Sequence, residues 1–336
     1  MLDFLFQYGL FLAKTLTLIV GILIVLTALF ALIHKGKGEE GQLLVTNIND
    51  KFAEVRHTLQ AEMLPKHQWK KWLKTLKQEE KSKKKSQKEA DPPKRLFVVH
   101  FHGDMRASKI RQLSETISAI IEIAQKEDEV LVVLESPGGF VHSYGLAASQ
   151  LHRLRQHNLS LTVAIDKVAA SGGYLMACVA NRIIAAPFAI VGSIGVIAQV
   201  PNFHRLLDKH DIDFEQFTAG EYKRTVTMFG KNTEKAKEKF QAEINETHEL
   251  FKEYISAHRP QVDLSSAATG EHWHALDAIK YQLIDAIETS DDFILAKTKE
   301  CDVFEIKYEE RKLKFTDKLS NGIFQSIEQL LLRVMR

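Results

Sequence analysis

Three glycine-rich turns contain the residues of this sequence that are chemically suited to catalysis. They are LESPGG at 134–139, VAASGGY at 168–174 and VGSIGV at 191–196, and each follows an apolar run typical of a strand. Paired glycines let backbone N–H groups turn toward one point, because no Cβ obstructs a close approach. Two such turns predict an oxyanion hole, which stabilises the transition state of acyl transfer by about 2.7–4 kcal/mol per donor.

Ser171 is the candidate nucleophile within these turns. It follows small residues and precedes Gly172, Gly173 and a helical stretch at 174–179. At a helix N-terminus, free N–H groups and the helix dipole favour developing negative charge. Serine is also a favoured N-cap residue, so the position alone leaves a capping role open.

Four motifs in this order resemble the signal peptide peptidase A family: LESPGG, VAASGGY, VGSIGV and GEYK at 220–223. The resemblance covers roughly residues 95–290, about three fifths of the chain. An apolar N-terminal segment with a single catalytic unit is most similar to the family's inner-membrane members. The resemblance implies an α/β domain of the Clp protease/crotonase fold and a serine peptidase with a Ser/Lys dyad.

The resemblance also implies roles for individual residues. Ser171 would be the nucleophile and Lys223 the general base, while Ser193 would hydrogen-bond the lysine amine and orient it. The backbone N–H groups of Gly139 and Gly172 would form the oxyanion hole. Hydrolysis would pass through an acyl-enzyme that water then releases.

A Ser/Lys dyad needs a neutral lysine. A lysine with an ordinary pKa of about 10.4 is almost wholly protonated near neutrality and cannot accept a proton. Burial among apolar side chains can lower a lysine pKa by several units. Four neighbours offer Lys223 such a setting: Tyr222, Val226, Met228 and Phe229. We therefore expect the amine to act as a general base and activity to rise with pH.

Small residues beside the candidate nucleophile predict an apolar substrate groove. The small residues Ala169, Ala170, Gly172 and Gly173 leave open space there. Tyr174 and the strand after Gly139 are expected to line it. We therefore expect peptide or protein substrates with small or aliphatic side chains at the cleavage position.

Composition excludes several other classes of protein. Lys and Arg total 45 and Asp and Glu total 43, and this net charge of +2 speaks against a dedicated nucleic-acid binder. The two cysteines, Cys178 and Cys301, cannot form a disulfide framework. His100 and His102 share a strand face without enough further ligands, so no metal and no other cofactor is expected. A crotonase-type acyl-CoA enzyme and a catalytically silent membrane scaffold are the alternatives.

The N-terminal region predicts a membrane anchor. Residues 15–33 are nineteen residues without a charge, and at 1.5 Å per residue they span roughly 28 Å, the thickness of a bilayer core. A signal peptide would have a shorter apolar core followed by a cleavage site of small residues. We therefore expect a membrane anchor over residues 1–38. The family resemblance implies that its lipid partner is a bacterial inner membrane.

Residues 39–95 predict a lysine-rich linker. The stretch 65–95 holds eleven lysines and one arginine against four acids, and such a composition does not bury a core. Trp69, Trp72 and Leu73 lie among the lysines at helical spacing. A basic amphipathic helix on an anionic membrane is therefore the alternative.

From residue 96 the sequence alternates between strand and helix patterns, which is typical of an α/β domain with mostly parallel strands. Strands are predicted at 96–101, 130–134, 159–165 and 182–186, helices at 110–126, 142–156 and 234–258, and a helix–strand unit at 267–287. Residues 183–200 lack charges, but Pro187, Gly192 and Gly195 interrupt them, so we expect buried strands around a turn. A second membrane span over these residues is the alternative. The peptidase domain is expected over 96–316, followed by an amphipathic helix over 317–336.

The sequence contains one copy of the catalytic motifs, and this number predicts how the protein assembles. Longer family members carry the unit twice, and the resemblance implies that serine and lysine can meet across the boundary between units. We therefore expect a homo-oligomeric ring in which Ser171 of one subunit faces Lys223 of the next.

The side of the membrane occupied by the catalytic domain stays open. More lysines follow the apolar segment than precede it, Lys35, Lys37 and Lys51 against Lys14, and this asymmetry favours a cytoplasmic domain. The family resemblance implies the periplasmic side, which is the expectation adopted here.

Overall fold

The computed structural model describes residues 2–34, 41–86 and 93–309. Two compact units result, Met1–Leu43 with Tyr308–Arg336, and Leu44–Lys307. The amphipathic helix predicted over 317–336 lies outside the described residues.

Ten strands and eleven helices are formed by the described residues. The strands are β1 (Gln42–Asn47), β2 (Arg95–His102), β3 (Glu129–Glu135), β4 (Ser160–Ile165), β5 (Val168–Ala170), β6 (Arg182–Ala185), β7 (Ile190–Gly192), β8 (His272–His274), β9 (Ala286–Ile287) and β10 (Asp302–Glu309). The helices are α1 (Leu2–His34), α2 (Ile48–Met63), α3 (Lys66–Ser86), α4 (Ile110–Ile123), α5 (Val141–Gln156), α6 (Gly172–Ala177), α7 (His204–Lys209), α8 (Glu234–His258), α9 (Leu264–Ala267), α10 (Ala275–Ala278) and α11 (Ser290–Lys297).

Helix α1 contains the whole uncharged stretch at 15–33 on which the predicted anchor rests. Among the residues that the structure describes, no helix is both long enough and apolar enough to cross a membrane. The anchor therefore stays a prediction.

The larger sheet has seven strands in the order β1-β10-β2-β3-β4-β6-β9. Every pair from β10 to β9 in this order is parallel. Strands β2, β3 and β4 are buried over almost their whole length, as expected for a parallel sheet that is covered on both faces. This confirms the predicted mixed α/β domain and the four predicted strands.

Helices cover both faces of this sheet. On one face, Ile48 of α2 and Phe293 and Ile294 of α11 join a cluster with the strand residues Leu96 and Val98. On the other face, α4 and α5 contact β2 and β4 and bury their apolar sides. Leucine and isoleucine at helical spacing drive this packing, because each turn returns them to the same side of the helix.

The compact unit Leu44–Lys307 includes α2, which precedes residue 96, where the domain is predicted to begin. The Asn49 side chain donates to the carbonyls of Thr298 and Cys301, both at 3.0 Å, and accepts from the N–H of Val303 at 2.7 Å. These bonds and the burial of Ile48 make α2 part of the domain, although the sequence predicted a linker there.

Helix α3 forms in the lysine-rich region, with its tryptophans turned toward α2. The rings of Trp69 and Trp72 stack with centroids 5.0 Å apart, and Trp72 meets His57 of α2 edge-on at 5.2 Å. The apolar side of α3 is therefore half-buried within the protein.

A second, three-stranded sheet contains β5 and β7, the strands that end in the glycine-rich turns VAASGGY and VGSIGV. Strand β5 pairs with β7 in parallel, and β7 pairs with β8 antiparallel. Residues 183–200 thus contain the strands β6 and β7 separated by a turn, which confirms that prediction. The strand expected after Gly139 is absent there, since helix α5 begins at Val141.

Candidate active site

Ser171 lies at a strained turn between β5 and α6. Its backbone has φ 52° and ψ −119°, a region that costs a non-glycine residue of order 1–3 kcal/mol. The turn is held by the Ser171 N–H, which donates to the Gly192 carbonyl at 2.8 Å, and by the Leu175 N–H, which donates to the Ser171 carbonyl at 3.0 Å. A sharp strand-to-helix turn of this kind presents a serine hydroxyl clear of the sheet.

Ser193 follows the neighbouring strand at the same level. Ala170 pairs with Gly192 in the parallel register of β5 and β7, so the next residues, Ser171 and Ser193, leave adjacent strand ends. Ser193 also has a positive φ, 53°, and its N–H donates to the Glu271 carbonyl at 2.7 Å. The two predicted serines are therefore brought together by the small sheet.

The SPGG turn lies directly against the turn of Ser171. The Ser136 N–H donates to the Val168 carbonyl at 2.8 Å, and the Ser136 carbonyl accepts from the Ala170 N–H at 3.0 Å. Gly138 has φ 89°, and a Cβ built there would lie 2.8 Å from both Ser171 Cβ and the Gly172 nitrogen. Only glycine fits at this point.

Gly139 is equally confined. A Cβ there would overlap the backbone of Met105, whose carbonyl accepts from the Phe140 N–H at 2.9 Å. The first two glycine-rich turns thus meet back to back, with the candidate oxyanion donors on the touching segments.

The N–H groups of Gly139 and Gly172 are available to a ligand. Neither has an acceptor among the residues described in the structure, whereas the Gly138 N–H is bonded to Ser136 Oγ at 3.1 Å. Unpaired backbone donors away from water are costly and are normally satisfied by some acceptor. A substrate carbonyl oxygen is the acceptor that an oxyanion hole receives.

Within one chain, the described residues show no hydrogen bond between the Lys223 side chain and Ser171 or Ser193. Lys223 lies in the irregular segment between α7 and α8, and its side chain is exposed. Over the described ranges, its amine has no hydrogen-bond or ion-pair partner. Tyr222, Met228 and Phe229 are 48%, 43% and 42% exposed, so the apolar setting expected around the amine is not formed by a single chain.

Tyr174 lies in the core rather than in a substrate groove, which corrects the prediction from the sequence. Its side chain is 0% exposed, and its hydroxyl donates to the Leu283 carbonyl at 2.9 Å. Burial raises the pKa of this hydroxyl far above its ordinary value. Tyr174 follows Ser171 by about one helical turn in α6, and its ring is directed into the domain.

The two strand histidines, His100 and His102, each contact a carboxylate. His102 contacts Glu135 at 3.4 Å, and Glu135 also pairs with Lys167 at 2.9 Å. His100 contacts Glu305 at 3.1 Å. Burial lowers the pKa of His100, although the Glu305 carboxylate opposes that shift.

The sequence missed Tyr144, a buried residue of α5 that touches both turns. Its ring lies where a side chain on Gly172 would be, and its hydroxyl bonds to Ser136 Oγ at 2.6 Å. Helical spacing marks Tyr144 as part of a buried face, but no sequence pattern shows where its hydroxyl points.

Comparison with known proteins assigns the family. Residues 3–151 match the description "Peptidase family S49 N-terminal", and residues 153–303 match "Peptidase family S49". The "Probable protease SohB" of Haemophilus influenzae is 49% identical over 319 residues, which cover 92% of this chain and 90% of that protein. The chain belongs to peptidase family S49.

Other relatives of this S49 peptidase agree. The "Probable protease SohB" of Buchnera aphidicola subsp. Acyrthosiphon pisum is 44% identical over 333 residues, covering 99% of this chain and 98% of that protein. The predicted resemblance to the signal peptide peptidase A family is thereby confirmed, with SohB proteins as similar relatives.

A solved structure is also similar at a distance. It is a mutant of the "1510-N membrane-bound stomatin-specific protease" in complex with a substrate peptide, with 14% identity, 68% of this chain and 97% of that chain covered, and a TM-score of 0.41. A likeness at this level adds nothing to the family assignment.

Proposed function

We propose that this S49 peptidase is a membrane-anchored serine endopeptidase that cleaves peptides or unfolded protein segments with a Ser/Lys dyad. The observation that carries the proposal is the strained Ser171 turn beside the unpaired N–H groups of Gly139 and Gly172. The Clp protease/crotonase type of fold belongs to the same proposal and rests on the family motifs. Relatives named as proteases support peptide or protein substrates.

In the proposed reaction, Ser171 Oγ attacks the carbonyl carbon of the scissile peptide bond. The neutral amine of Lys223 takes the hydroxyl proton, and the carbonyl oxygen becomes an oxyanion that accepts from the N–H groups of Gly139 and Gly172. The C–N bond then breaks, and the lysine ammonium gives its proton to the leaving amine. Water attacks the resulting ester in a second, equivalent round and releases the free serine. Ser193 orients the lysine amine.

A ring of subunits would complete the site. The segment that bears Lys223 exposes large apolar side chains, including Ile212 at 54% and Phe217 at 90% exposure. Exposed apolar patches of this kind mark interfaces. If a neighbouring subunit covers this segment, the lysine loses water and its neutral form is favoured. We therefore propose that Lys223 serves the Ser171 of an adjacent copy.

The remaining part of the proposal is the location. Helix α1 would anchor the protein in a bacterial inner membrane through its uncharged stretch at 15–33. The catalytic domain would lie on the periplasmic side, as the family resemblance implies. A reporter enzyme fused after residue 336 and active only outside the cytoplasm is the expected result, and activity only inside would reverse this orientation.

Labelling with a fluorophosphonate probe tests the nucleophile. We expect wild-type protein to be labelled and to cleave a fluorogenic peptide, and Ser171→Ala to lose both activities. Ser149→Ala is the matched control, because Ser149 is an exposed serine whose hydroxyl bonds only within α5, to the Gly145 carbonyl. Retention of labelling and cleavage in Ser171→Ala would remove the proposed mechanism.

Mixing two inactive variants tests the shared site. Ser171→Ala and Lys223→Ala should each be inactive, and co-assembled rings should recover activity at about a quarter of the boundaries, by random pairing in a closed ring. No recovery in verified mixed assemblies would mean that the dyad forms within one chain.

A further inference from the structure

Ser136 and Tyr144 form a buried pair of hydroxyls behind the candidate oxyanion hole. Their oxygens are 2.6 Å apart, and both residues are 0% exposed. Ser136 Oγ accepts from the Gly138 N–H at 3.1 Å, and the Tyr144 hydroxyl donates to the Asp104 carbonyl at 2.7 Å. The pair therefore connects the SPGG turn to the loop that follows β2.

The direction of every hydrogen bond in this chain is fixed by counting protons. A phenol has one proton, and Tyr144 gives it to the Asp104 carbonyl. Ser136 must then donate to the Tyr144 oxygen, which leaves a lone pair of Ser136 Oγ for the Gly138 N–H. Each hydroxyl donates once and accepts once, so the chain runs in one direction from Gly138 to Asp104.

This chain fixes the backbone on one side of the Gly139 N–H, and a neighbouring bond fixes the other side. Gly138 is held through Ser136, and the Phe140 N–H is held by the Met105 carbonyl at 2.9 Å. Both bonds end in the same loop, at Asp104 and Met105. The peptide group that carries the Gly139 N–H is thus held between two anchored residues.

The Tyr144 ring also supports the second donor. A Cβ on Gly172 would overlap the ring, so the ring packs directly against the first residue of α6. Gly103 lies on the opposite side, where a Cβ would meet the Tyr144 hydroxyl and lie 2.7 Å from Ser136 Oγ. The Tyr144 side chain therefore contacts the backbone at Gly172 directly and the turn that carries Gly139 through Ser136 Oγ.

We propose that Tyr144 and Ser136 are positioning residues that aim the N–H groups of Gly139 and Gly172 at the oxyanion. This inference rests on the proposed peptidase mechanism. Burial raises the pKa of Tyr144 above its ordinary value, so the phenol keeps the proton that the chain needs throughout the neutral and mildly alkaline range.

Ser136→Ala and Tyr144→Phe each break the chain by removing one oxygen. We expect kcat to fall about 10- to 100-fold, part of the 10²–10³-fold that follows complete loss of one oxyanion donor, while KM stays nearly constant. A peptide aldehyde, which forms a tetrahedral adduct with a negatively charged oxygen, should lose affinity by a similar factor. The double variant should be no slower than the slower single variant, because both changes interrupt the same chain.

Ser290→Ala is the control for a merely structural role. Ser290 is a buried serine at the start of α11, and its hydroxyl donates to Asp166 at 2.5 Å and makes no bond to Ser136, Gly138 or Tyr144. Its loss should lower the thermal transition without changing kcat or aldehyde affinity. Rates are normalised to the serine labelled by the fluorophosphonate probe, which counts folded sites and leaves Ser136→Ala informative even where Tyr144→Phe folds poorly.

The proposed peptidase mechanism and the positioning role of Ser136 and Tyr144 can be refuted separately. If Ser171→Ala still cleaves peptide, the proposed mechanism is wrong. If cleavage depends on Ser171 but Ser136→Ala and Tyr144→Phe keep the wild-type kcat and aldehyde affinity, only the positioning role is overturned.

Discussion

Replacing Gly138 with alanine would test how closely the SPGG turn fits the candidate nucleophile. Gly138 has φ 89°, and this left-handed backbone would destabilise an alanine by about 1–2 kcal/mol. Its Cβ would also lie 2.7 Å from the Ala170 carbonyl oxygen and 2.8 Å from Ser171 Cβ, about 0.6 Å inside the 3.4 Å at which ordinary contact begins. These atoms belong to the backbone or are bonded to it, so a side-chain rotation cannot relieve the overlap.

The overlap sets the size of the expected effect. The two turns must separate by roughly half an ångström, and a misplacement of about 1 Å in an active site can cost about 100-fold in rate. We expect Gly138→Ala to lower kcat at least ~10-fold, measured with a fluorogenic peptide and normalised to probe-labelled serine. Its thermal transition should fall as well, because the left-handed alanine is strained in the folded state.

Two other glycines separate backbone strain from overlap. Gly270 has the same φ, 89°, but a Cβ there meets nothing within 4 Å. Gly270→Ala should therefore lower the free energy of unfolding by ~1–2 kcal/mol through backbone strain, with little change in activity. Gly145 lies in α5 with open space, and Gly145→Ala should be neutral or stabilising by ~0.5–1 kcal/mol. The reasoning is refuted if Gly138→Ala keeps the wild-type kcat, or if Gly270→Ala loses as much activity as Gly138→Ala.

Three further changes have defined outcomes. Lys223→Ala should abolish cleavage, and because the side chain is exposed it should leave the thermal transition unchanged. Lys223→Arg should be equally inactive, since a guanidinium stays protonated. Full activity in either variant would exclude the dyad. Asp285→Asn should lower the free energy of unfolding by about 3 kcal/mol at pH 7 in a denaturant titration, because Arg259, 2% exposed and paired at 2.8 Å, keeps an uncompensated buried charge. Burial alone would raise the pKa of Asp285, but its bonds to Arg259 hold that pKa below the ordinary value. The wild-type advantage should therefore be complete above about pH 4 and disappear as the pH falls through the lowered pKa; an advantage that persists in acid would contradict this. Phe217→Glu, at a side chain that is 90% exposed, should dissociate the proposed ring in light scattering and reduce activity with it, and an unchanged mass would remove Phe217 from the interface.

The strands of the larger sheet could be predicted because their signal is local. Strands β2, β3 and β4 are continuous apolar runs, and such runs are buried on both faces wherever a parallel sheet forms. Helix α8 matches its predicted bounds for a similar reason, since Thr233 caps it and its polar and apolar residues repeat with the helical period. The family motifs are equally local, and the comparisons confirm the resemblance that they indicate.

The sequence predicts a strand where β7 lies, but the smaller sheet as a whole could not be predicted, because β5, β7 and β8 have only three residues each and give no sign of which strands pair. Its register nevertheless decides that Ser171 and Ser193 lie side by side. The inclusion of α2 in the compact unit also has no local signal in the sequence, since the bonds of Asn49 join segments about 250 positions apart.

The sequence by itself determined the family, the α/β pattern and the residue types that could carry out acyl transfer. The tertiary structure alone decided which of them meet. It placed the Tyr174 ring in the core, the Tyr144 hydroxyl behind the SPGG turn and the Lys223 side chain in solvent. The physical reason is that hydrophobic periodicity specifies which face of an element is buried, whereas the direction of a hydroxyl or an amine depends on partners from distant segments that only folding brings within hydrogen-bond distance.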